Sequence, residues 1–288
     1  MMNSECEIKA YAKINLGLDI IGRREDGYHL LRMIMQSIGL SDRLVFSKNN
    51  SGTIRIRSNL NYLPTGPKNL VYKAAEMVRN EYGISDGVDI RIEKKIPVAA
   101  GLAGGSSNAA AAIIALDSLF DLGMDTERMC GMGVRIGADV PYCITGGTAL
   151  AEGIGEKLSA LPAMPECQIL LVKPKFGIST KDVYQAYDSR PAEVHPDIDA
   201  IIAALEAKDL DGICANLGNV LESVSCAEYP ELETIKDRMR ELGAKNALMS
   251  GSGPTLFGIF DDRDAAQKAY LEFKTGQYGK DTFLTGPV

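Results

Sequence analysis

Positions 97–108 form a run of small residues whose types and order could bind an anion. Gly101, Gly104 and Gly105 allow backbone with positive φ and a close approach to a ligand. Two serines then open an alanine-rich segment, and the first N–H groups of a helix have no partner inside that helix. Because those groups and the helix dipole attract negative charge, we expect a phosphate-binding loop here.

An ordinary tight turn is the alternative interpretation of this run. A plain turn needs only one or two glycines, whereas most of residues 99–110 are Gly, Ala or Ser, which leaves room for a bulky ligand. Two better-known phosphate motifs are excluded. No lysine follows the glycines as in a Walker A loop, and the run contains no G-x-G-x-x-G pattern of a dinucleotide site.

Three other places carry polar residues that could do chemistry. Lys13 and Asn15 lie two apart, so a strand presents both on one face, the alternative being the wet face of an edge strand. Tyr28 and His29 offer an aromatic face and a ring with one donor and one acceptor, which suits a nucleobase; the alternative is a pair that merely flanks a turn. Asp139 could accept a substrate proton or cap a helix.

The sequence pattern predicts the strands and helices that position these residues. Alternation of apolar and polar residues predicts a strand directly before the loop, and a helix follows the loop. A second glycine- and serine-rich loop lies between two strands. The predicted elements are strands at 7–18, 33–40, 43–46, 53–57, 87–96 and 167–172, helices at 69–82, 107–120, 126–136, 198–205, 210–221 and 231–242, and a strand–loop–strand unit at 247–260.

Composition limits the possible functions. The net charge of -7 argues against a broad nucleic-acid surface, which needs clustered basic residues. Six cysteines without a C-x-x-C pair and only two histidines indicate neither a disulfide framework nor a zinc or His-rich metal site. Because the first residues lack the basic and apolar regions of a leader and no apolar run is long enough to cross a membrane, we expect a cytoplasmic protein without a membrane partner.

Two glycine- and serine-rich loops, with a lysine and an aspartate, suit phosphoryl transfer, in which positioning and charge stabilisation do most of the catalysis. Residues 97–107 resemble the second motif of the small-molecule kinases related to galactokinase, homoserine kinase, mevalonate kinase and phosphomevalonate kinase. Residues 250–254 resemble the third motif of the same family. The resemblance implies an ATP-dependent kinase with an alcohol group as acceptor.

Four further blocks resemble one subfamily of these kinases. That subfamily belongs to the non-mevalonate isoprenoid pathway and phosphorylates the C2 hydroxyl of a methylerythritol that carries a cytidine diphosphate. The resemblance weakens at 191–228 and after residue 260. The blocks lie at 12–16, 26–29, 137–141 and 151–156.

The resemblance also implies roles for individual residues. Asp139 is implied as the catalytic base, and Lys13 as the group that keeps Asp139 ionised and stabilises the phosphoryl group in transfer. The implied substrate-binding residues are Asn15, Tyr28, His29, Ser179, Thr180 and Tyr184. The implied ATP-binding residues are Asn69, Leu70, Pro97, Val98, Ala99, Ala100, Gly101, Leu102, Ala103, Gly104, Gly105, Ser106 and Ser107, and the third glycine motif is Ser250, Gly251, Ser252 and Gly253. ATP and Mg²⁺ are the implied cofactors, with no protein ligand assigned to the metal.

The implied fold is α+β in two domains. A ribosomal-protein-S5-like N-terminal domain at 1–161 precedes a ferredoxin-like C-terminal domain at 166–288, with the active site in the cleft between them. A mevalonate- or homoserine-type kinase is one alternative, but those substrates carry no base for Tyr28 to stack on. A non-catalytic nucleotide-binding regulator is another, and it should lack Lys13 and Asp139.

Overall fold

The structure is a computed structural model and describes residues 5–278 and 281–288. The chain divides into two compact units that alternate along the sequence. The first unit consists of Met1–Ala12, Leu40–Val98 and Ala103–Gly146, and the second of Lys13–Gly39, Ala99–Leu102 and Gly147–Val288. The domain division at 161–166 remains a prediction.

The first unit contains a sheet and four helices within its described residues. Its elements are the start of β1 (Glu5–Arg23), the end of β2 (His29–Asn49), β3 (Ile54–Ser58), α1 (Leu70–Glu81), β4 (Gly87–Glu93), α2 (Gly104–Phe120), α3 (Thr126–Val134) and α4 (Val140–Thr145). Strand β4 lies between its neighbours, antiparallel to β2 with Ser47 opposite Asp89 and parallel to β3 with Ile56 opposite Ile90. The predicted strand before the loop is therefore central in this part of the sheet.

Alanines allow α2 to pack closely into the core of the first unit. Ala109 and Ala112 are fully buried in the same cluster as Phe46 on β2. Small side chains let a helix approach its neighbours closely, so α2 is fixed along most of its length. Helix α1 begins at the Asn69 cap and ends before Gly83, which has a φ of +62°.

The second unit contains the remaining parts of β1 and β2 and all later elements. In chain order these are β5 (Thr148–Gly153), β6 (Lys157–Ala160), β7 (Gln168–Val172), α5 (Thr180–Ser189), α6 (Ile198–Glu206), α7 (Leu210–Ala215), β8 (Gly218–Asn219), α8 (Glu222–Glu228), α9 (Glu231–Glu241), β9 (Asn246–Met249), β10 (Leu256–Phe260), α10 (Arg263–Thr275) and β11 (Thr282–Thr285). Four strands form an antiparallel sheet in the order β11-β7-β10-β9. Strand β8 pairs in parallel with β1, with Gly218 opposite Gly17.

The sheet of β7, β9, β10 and β11 explains the continuous apolar run near residue 170. Leu170 and Leu171 on adjacent positions of β7 are both fully buried, as are Phe257 and Ile259 on β10. A strand that is covered on both faces carries apolar residues at consecutive positions, unlike a half-exposed strand. The strand predicted at 167–172 is present in the structure.

Two predicted elements differ from the structure. The separate strands at 33–40 and 43–46 are one strand, β2, because the polar Asp42 between them is fully buried and hydrogen-bonded instead of forming a turn. The helix at 210–221 is wrong beyond Ala215. There Asn216 Nδ2 donates to the carbonyl oxygen of Gly212 (2.8 Å) at the end of α7, and the short β8 follows.

The six cysteines are all free thiols. Burial raises the pKa of Cys167 and of Cys214 to about 12, so neither thiol has appreciable thiolate character near neutral pH. Across residues 5–278 and 281–288, no helix is long and apolar enough to span a membrane.

Candidate active site

The start of the glycine-rich loop lies against the third glycine motif, inside the second unit. Ser250 Oγ donates to the carbonyl oxygen of Gly101 (2.9 Å), across 149 positions of sequence. A side chain at Gly101 would collide with the carbonyl oxygen of Ser250, and Gly101 has a φ of +72°, so this position requires glycine. The two glycine- and serine-rich segments therefore form one continuous surface.

Two alanines of the loop adopt a positive φ, a backbone conformation that the sequence predicts for the glycines of the loop. Ala99 and Ala103 have φ values of +51° and +53°, in the left-handed region, which costs an L-residue roughly 1 kcal/mol. Gly104 and Gly105 instead form the first turn of α2. The surrounding contacts must hold the loop in this shape, since the alanines alone would not choose it.

Lys13 and Asn15 lie beside this surface on β1. Their exposed fractions are 5% and 0%, so the interpretation as the wet face of an edge strand is wrong. Lys13 Nζ donates to Asn15 Oδ1 (2.6 Å), and the N–H of Lys13 donates to the carbonyl oxygen of Leu102 (3.2 Å). A Cβ built on Gly251 would lie 3.3 Å from Lys13 Nζ. An ammonium group is thus held where the two glycine-rich segments meet.

A second cluster surrounds His29 at the start of β2. Its ring packs on Tyr184 of α5, with 4.9 Å between ring centroids and 32° between planes. His29 Nε2 lies 2.6 Å from Asp188 Oδ1, and Arg23 Nη1 lies 3.3 Å from the other oxygen of that carboxylate. Because a carboxylate accepts, the neutral imidazole carries its proton on Nε2. Nδ1 has no recorded partner in the described part of the chain, and Tyr28 beside it is 61% exposed.

Helix α5 connects the His29 cluster with the third glycine motif. Its cap is Ser179, whose Oγ accepts from the N–H of Asp182 (3.4 Å). Its first residue, Thr180, places Oγ1 2.8 Å from Ser252 Oγ. One helix therefore carries both a hydroxyl beside the glycine motif and the aromatic ring that packs on His29.

In the first unit, α2 begins directly after the loop. A Cβ built on Gly104 would lie 2.9 Å from Ile96 Cγ2 and 3.1 Å from Lys94 Nζ, so glycine lets the helix start close to the end of β4. Ser107 Oγ donates to the carbonyl oxygen of Tyr11 (2.7 Å). The first turn of α2, whose leading N–H groups have no partner within the helix, thus follows the loop directly.

A buried ion pair between Asp42 and Lys94 holds the start of α2 and the segment that precedes the loop. Lys94 pairs with Asp42, and Asn108 of α2 donates to the same carboxylate (2.8 Å) while accepting from Lys94 Nζ (3.1 Å). The other oxygen of Asp42 accepts the N–H groups of Lys95 (2.7 Å) and Ile96 (2.9 Å). The network holds the segment that enters the loop and the helix that leaves it.

Replacing Asp42 by asparagine is expected to destabilise the protein by about 3–5 kcal/mol, because Lys94 is left buried without a counter-charge. The measurement is the free energy of unfolding in urea. The matched control is Asp89→Asn, which removes a partner of the exposed Arg55 and should cost less than about 1 kcal/mol. Equal losses in the two variants would contradict the assigned importance of the buried pair.

Asp139 belongs to the first unit and occupies the cap position of α4. Its side chain makes no capping hydrogen bond, and no partner for the half-buried carboxylate is recorded in the described residues. A Cβ built on Gly137 would lie 3.9 Å from Ser106 Oγ, so the turn that carries Asp139 lies beside the first turn of α2. The helix-capping alternative is not observed, and the carboxylate is available to accept a proton.

Asn69 and Leu70 lie at the start of α1. Asn69 Oδ1 accepts the N–H of Val71 (2.9 Å), and its Nδ2 donates to the carbonyl oxygen of Pro64 (2.6 Å). Leu70 Cδ1 lies 3.5 Å from the Cβ position of Gly105. Leu70 is therefore an apolar neighbour of the glycine-rich loop, whereas the side chain of Asn69 is occupied by local structure.

Sequence reasoning missed several residues that hold this site. Asp188 lies 159 positions from its partner His29. Exposed acidic residues are common on helices, so the sequence does not indicate that Asp188 has a binding role. Asp42 offered a weak signal, a charged residue between two apolar segments. Asn219, which binds the third glycine motif, lies in the segment 210–221, whose apolar spacing predicts a helix, so the sequence does not indicate this contact.

The family models and the relatives that match this chain all belong to one group of kinases. The models of the GHMP kinases N terminal domain and the GHMP kinases C terminal domain match residues 69–147 and 190–278. A 4-diphosphocytidyl-2-C-methyl-D-erythritol kinase from Lachnoclostridium phytofermentans is 50% identical over 278 residues, 96% of each chain. The kinase of the same name from Lachnospira eligens is 52% identical over 258 residues, 90% of each chain.

Solved structures agree with this relationship. A crystal structure of 4-(cytidine 5'-diphospho)-2C-methyl-D-erythritol kinase has a TM-score of 0.83 and 35% identity, covering 98% of this chain and 99% of that chain. A homoserine kinase from Cytophaga hutchinsonii is 19% identical with a TM-score of 0.80, covering 100% and 96%, a likeness in fold alone. The two-domain α+β kinase fold expected from the sequence is confirmed. The chain belongs to the GHMP kinases, which use ATP, and within them to the family of the 4-diphosphocytidyl-2-C-methyl-D-erythritol kinases.

Proposed function

We propose that the protein transfers the γ-phosphoryl group of ATP to the C2 hydroxyl of 4-diphosphocytidyl-2-C-methyl-D-erythritol, a step of the non-mevalonate isoprenoid pathway. The observation that carries the proposal is the meeting of two glycine-rich segments at the buried ammonium of Lys13. Such a surface offers backbone N–H groups and a positive charge to phosphate oxygens. Relatives that are about 50% identical, over 96% or more of both chains, carry the name 4-diphosphocytidyl-2-C-methyl-D-erythritol kinase.

The glycine-rich loop and the start of α2 would hold the triphosphate of ATP. The small side chains of the loop leave its backbone accessible, and the first N–H groups of α2 suit an anion. Leu70 beside Gly105 supplies an apolar surface that suits the adenine ring. Asn69, whose side chain caps α1, would act by placing Leu70. The other ATP-binding residues proposed are Leu70, Pro97, Val98, Ala99, Ala100, Gly101, Leu102, Ala103, Gly104, Gly105, Ser106 and Ser107.

Asp139 and Lys13 would perform the transfer. Asp139 would take the proton from the C2 hydroxyl as its oxygen attacks the γ-phosphorus, so that the alkoxide character develops only in the transition state. The carboxylate of Asp139 makes no capping hydrogen bond and has no partner within residues 5–278 and 281–288, which supports this role. Lys13 would stabilise the negative charge on the phosphoryl oxygens, and Asn15, which accepts from Lys13 Nζ, would hold that ammonium and orient the substrate.

Magnesium would neutralise the β- and γ-phosphates, since this ion prefers oxygen ligands and commonly binds with substrate phosphates. On this chain the Ser106 hydroxyl fits that chemistry, because it lies on the first turn of α2 and has no recorded partner among the described residues. The one metal-ligand cluster in the described part of the chain, Glu222, Cys226 and Glu233, does not fit, since Lys236 Nζ already donates to both carboxylates.

The His29 cluster would bind the cytosine. With Nε2 protonated toward Asp188, Nδ1 of His29 is an acceptor and requires a donor on the ligand. The exocyclic amino group of cytosine is such a donor, whereas uracil presents a carbonyl oxygen at the same position. The exposed ring of Tyr28 is available for stacking on one face of the base. Tyr184, whose ring packs on His29, would contact the other face.

This arrangement makes a specificity prediction. We expect kcat/KM for the cytidyl substrate to exceed that for its uridyl analogue by roughly 100-fold, because two acceptors would face each other in the uridyl complex. Asp188→Asn should reduce this ratio to less than about tenfold, since an amide can donate to Nε2 and leave the proton on Nδ1. The measurement is ADP release with each substrate.

Asp182→Asn on the same helix is the matched control and should leave the ratio unchanged. Equal turnover of both nucleotides by the parent protein would contradict the role of His29. Mevalonate and homoserine are assayed beside them, because turnover of either in place of the cytidyl substrate would support the alternative kinases. ATP binding without turnover of any substrate would support the non-catalytic alternative.

A further inference from the structure

The buried side chain of Asn219, outside the proposed binding sites, binds the backbone of the third glycine motif. Asn219 lies on β8 and is 7% exposed. Its Nδ2 donates to the carbonyl oxygens of Met249 (2.9 Å) and Gly251 (2.8 Å), and its Oδ1 accepts the N–H of Leu221 (3.0 Å). Both amide hydrogens and the amide oxygen of Asn219 are therefore bound to backbone.

Glu222 binds the same segment at the N–H of Met249. Its Oε1 accepts the N–H of Met249 (2.7 Å), and its Oε2 accepts from Lys236 Nζ (2.8 Å). Lys236 is 3% exposed and also pairs with Glu233 (2.9 Å). The N–H and the carbonyl oxygen of Met249 are thus bound by Glu222 and by the buried Asn219, immediately before the motif begins.

The contact of Asn219 with Gly251 determines where the next N–H points. In a trans peptide, the C=O and the following N–H point in opposite directions. The N–H of Ser252 therefore points away from Asn219, and no partner for it is recorded across residues 5–278 and 281–288. The same peptide lies beside Lys13, whose Nζ is 3.3 Å from the Cβ position of Gly251.

We infer that Asn219 is a positioning residue for phosphoryl transfer: by holding the carbonyl oxygen of Gly251, it keeps the N–H of Ser252 directed at an oxygen of the phosphoryl group in transfer. The inference rests on the proposed function. The N–H and the ammonium of Lys13 together stabilise the charge that develops in the transition state. Asn219 itself does not touch the substrate.

The test compares two asparagine-to-aspartate variants of the full chain. Asn219→Asp keeps the shape of the side chain but places a carboxylate oxygen against the carbonyl oxygens of Met249 and Gly251. Asn216→Asp is the matched control, because Asn216 Nδ2 also donates to a carbonyl oxygen, that of Gly212, and does not touch the motif. Circular dichroism and thermal melting establish that each variant is folded.

We expect Asn219→Asp to lower kcat about 10- to 100-fold while KM for ATP stays within about threefold, because the misdirected donor acts mainly in the transition state. Asn216→Asp should keep kcat within about twofold of the parent. A folded Asn219→Asp protein with kcat within twofold of the parent overturns the inference, and so does an equal loss in Asn216→Asp. If Asn219→Asp does not fold, Asn219→Ser is measured against the same limits.

The proposed function and this inference fail in different ways. A parent protein without turnover of the cytidyl substrate refutes the proposed function. Amide hydrogen exchange then decides the role of Asn219. Faster exchange at residues 249–255 in Asn219→Asp than in Asn216→Asp shows that Asn219 holds the motif, whereas equal exchange overturns the inference even where the parent protein is active.

Discussion

Replacing Asp139 by asparagine is expected to lower kcat about 10²- to 10⁴-fold, because an amide cannot take the proton of the attacking hydroxyl. Asparagine has nearly the same size and suits the cap position of α4, so the fold should persist. The affinity for ATP should change less than about threefold, since the carboxylate is not part of the phosphate loop. The measurements are ADP release and calorimetric binding of ATP on the same preparation.

Asp125→Asn is the matched control for this variant. Asp125 caps α3 and accepts the N–H of Arg128 (2.7 Å), so it is also an aspartate at a helix start in the first unit. Asparagine retains that capping bond, and kcat should be unchanged. An Asp139→Asn protein that keeps more than about a tenth of the parent kcat would contradict the assignment of Asp139 as the base.

Replacing Lys13 by methionine is expected to lower kcat about 10²- to 10³-fold. Methionine fills most of the space of the lysine stem but removes the positive charge that would stabilise the phosphoryl group in transfer. Arginine should not restore activity, because its planar guanidinium cannot take the place of a compact ammonium at a site that is 5% exposed. The measurement is kcat for the Lys13→Met and Lys13→Arg proteins.

Lys9→Met is the matched control, since Lys9 lies on the same strand with an exposed side chain. It should leave kcat and the melting temperature within experimental error of the parent. A folded Lys13→Met protein with kcat within about threefold of the parent would contradict the role of the ammonium.

The sequence predicts the parts of this site that depend on local pattern. Alternation along β1 puts Lys13 and Asn15 on one face, and the structure joins their side chains by a hydrogen bond. The loop and the helix after it follow from small residues and helical spacing. The positive φ at Ala99 and Ala103 does not follow, because an alanine rarely adopts it and only long-range contacts enforce it.

The groups that position the site could not be predicted, because they come from distant parts of the chain. The pair of Asp42 and Lys94 spans 52 positions, and local spacing carries no information about such a contact. Asn219 lies in a segment whose apolar spacing favours a helix. In the structure it pairs with Leu18 of β1 instead, so this tertiary contact outweighs the local helical preference. Local periodicity predicts elements, whereas the contacts between elements depend on the whole fold.

The most direct test of the proposed function identifies where the phosphoryl group is attached. The purified protein is incubated with ATP, Mg²⁺ and 4-diphosphocytidyl-2-C-methyl-D-erythritol, and the product is observed by proton-coupled phosphorus NMR. Because C2 carries the methyl group and no hydrogen, phosphorylation at C2 should give one new phosphomonoester singlet, equal in amount to the ADP formed. A coupled multiplet, which reports an ester on a carbon that bears hydrogen, or the absence of any new ester would contradict the proposed function.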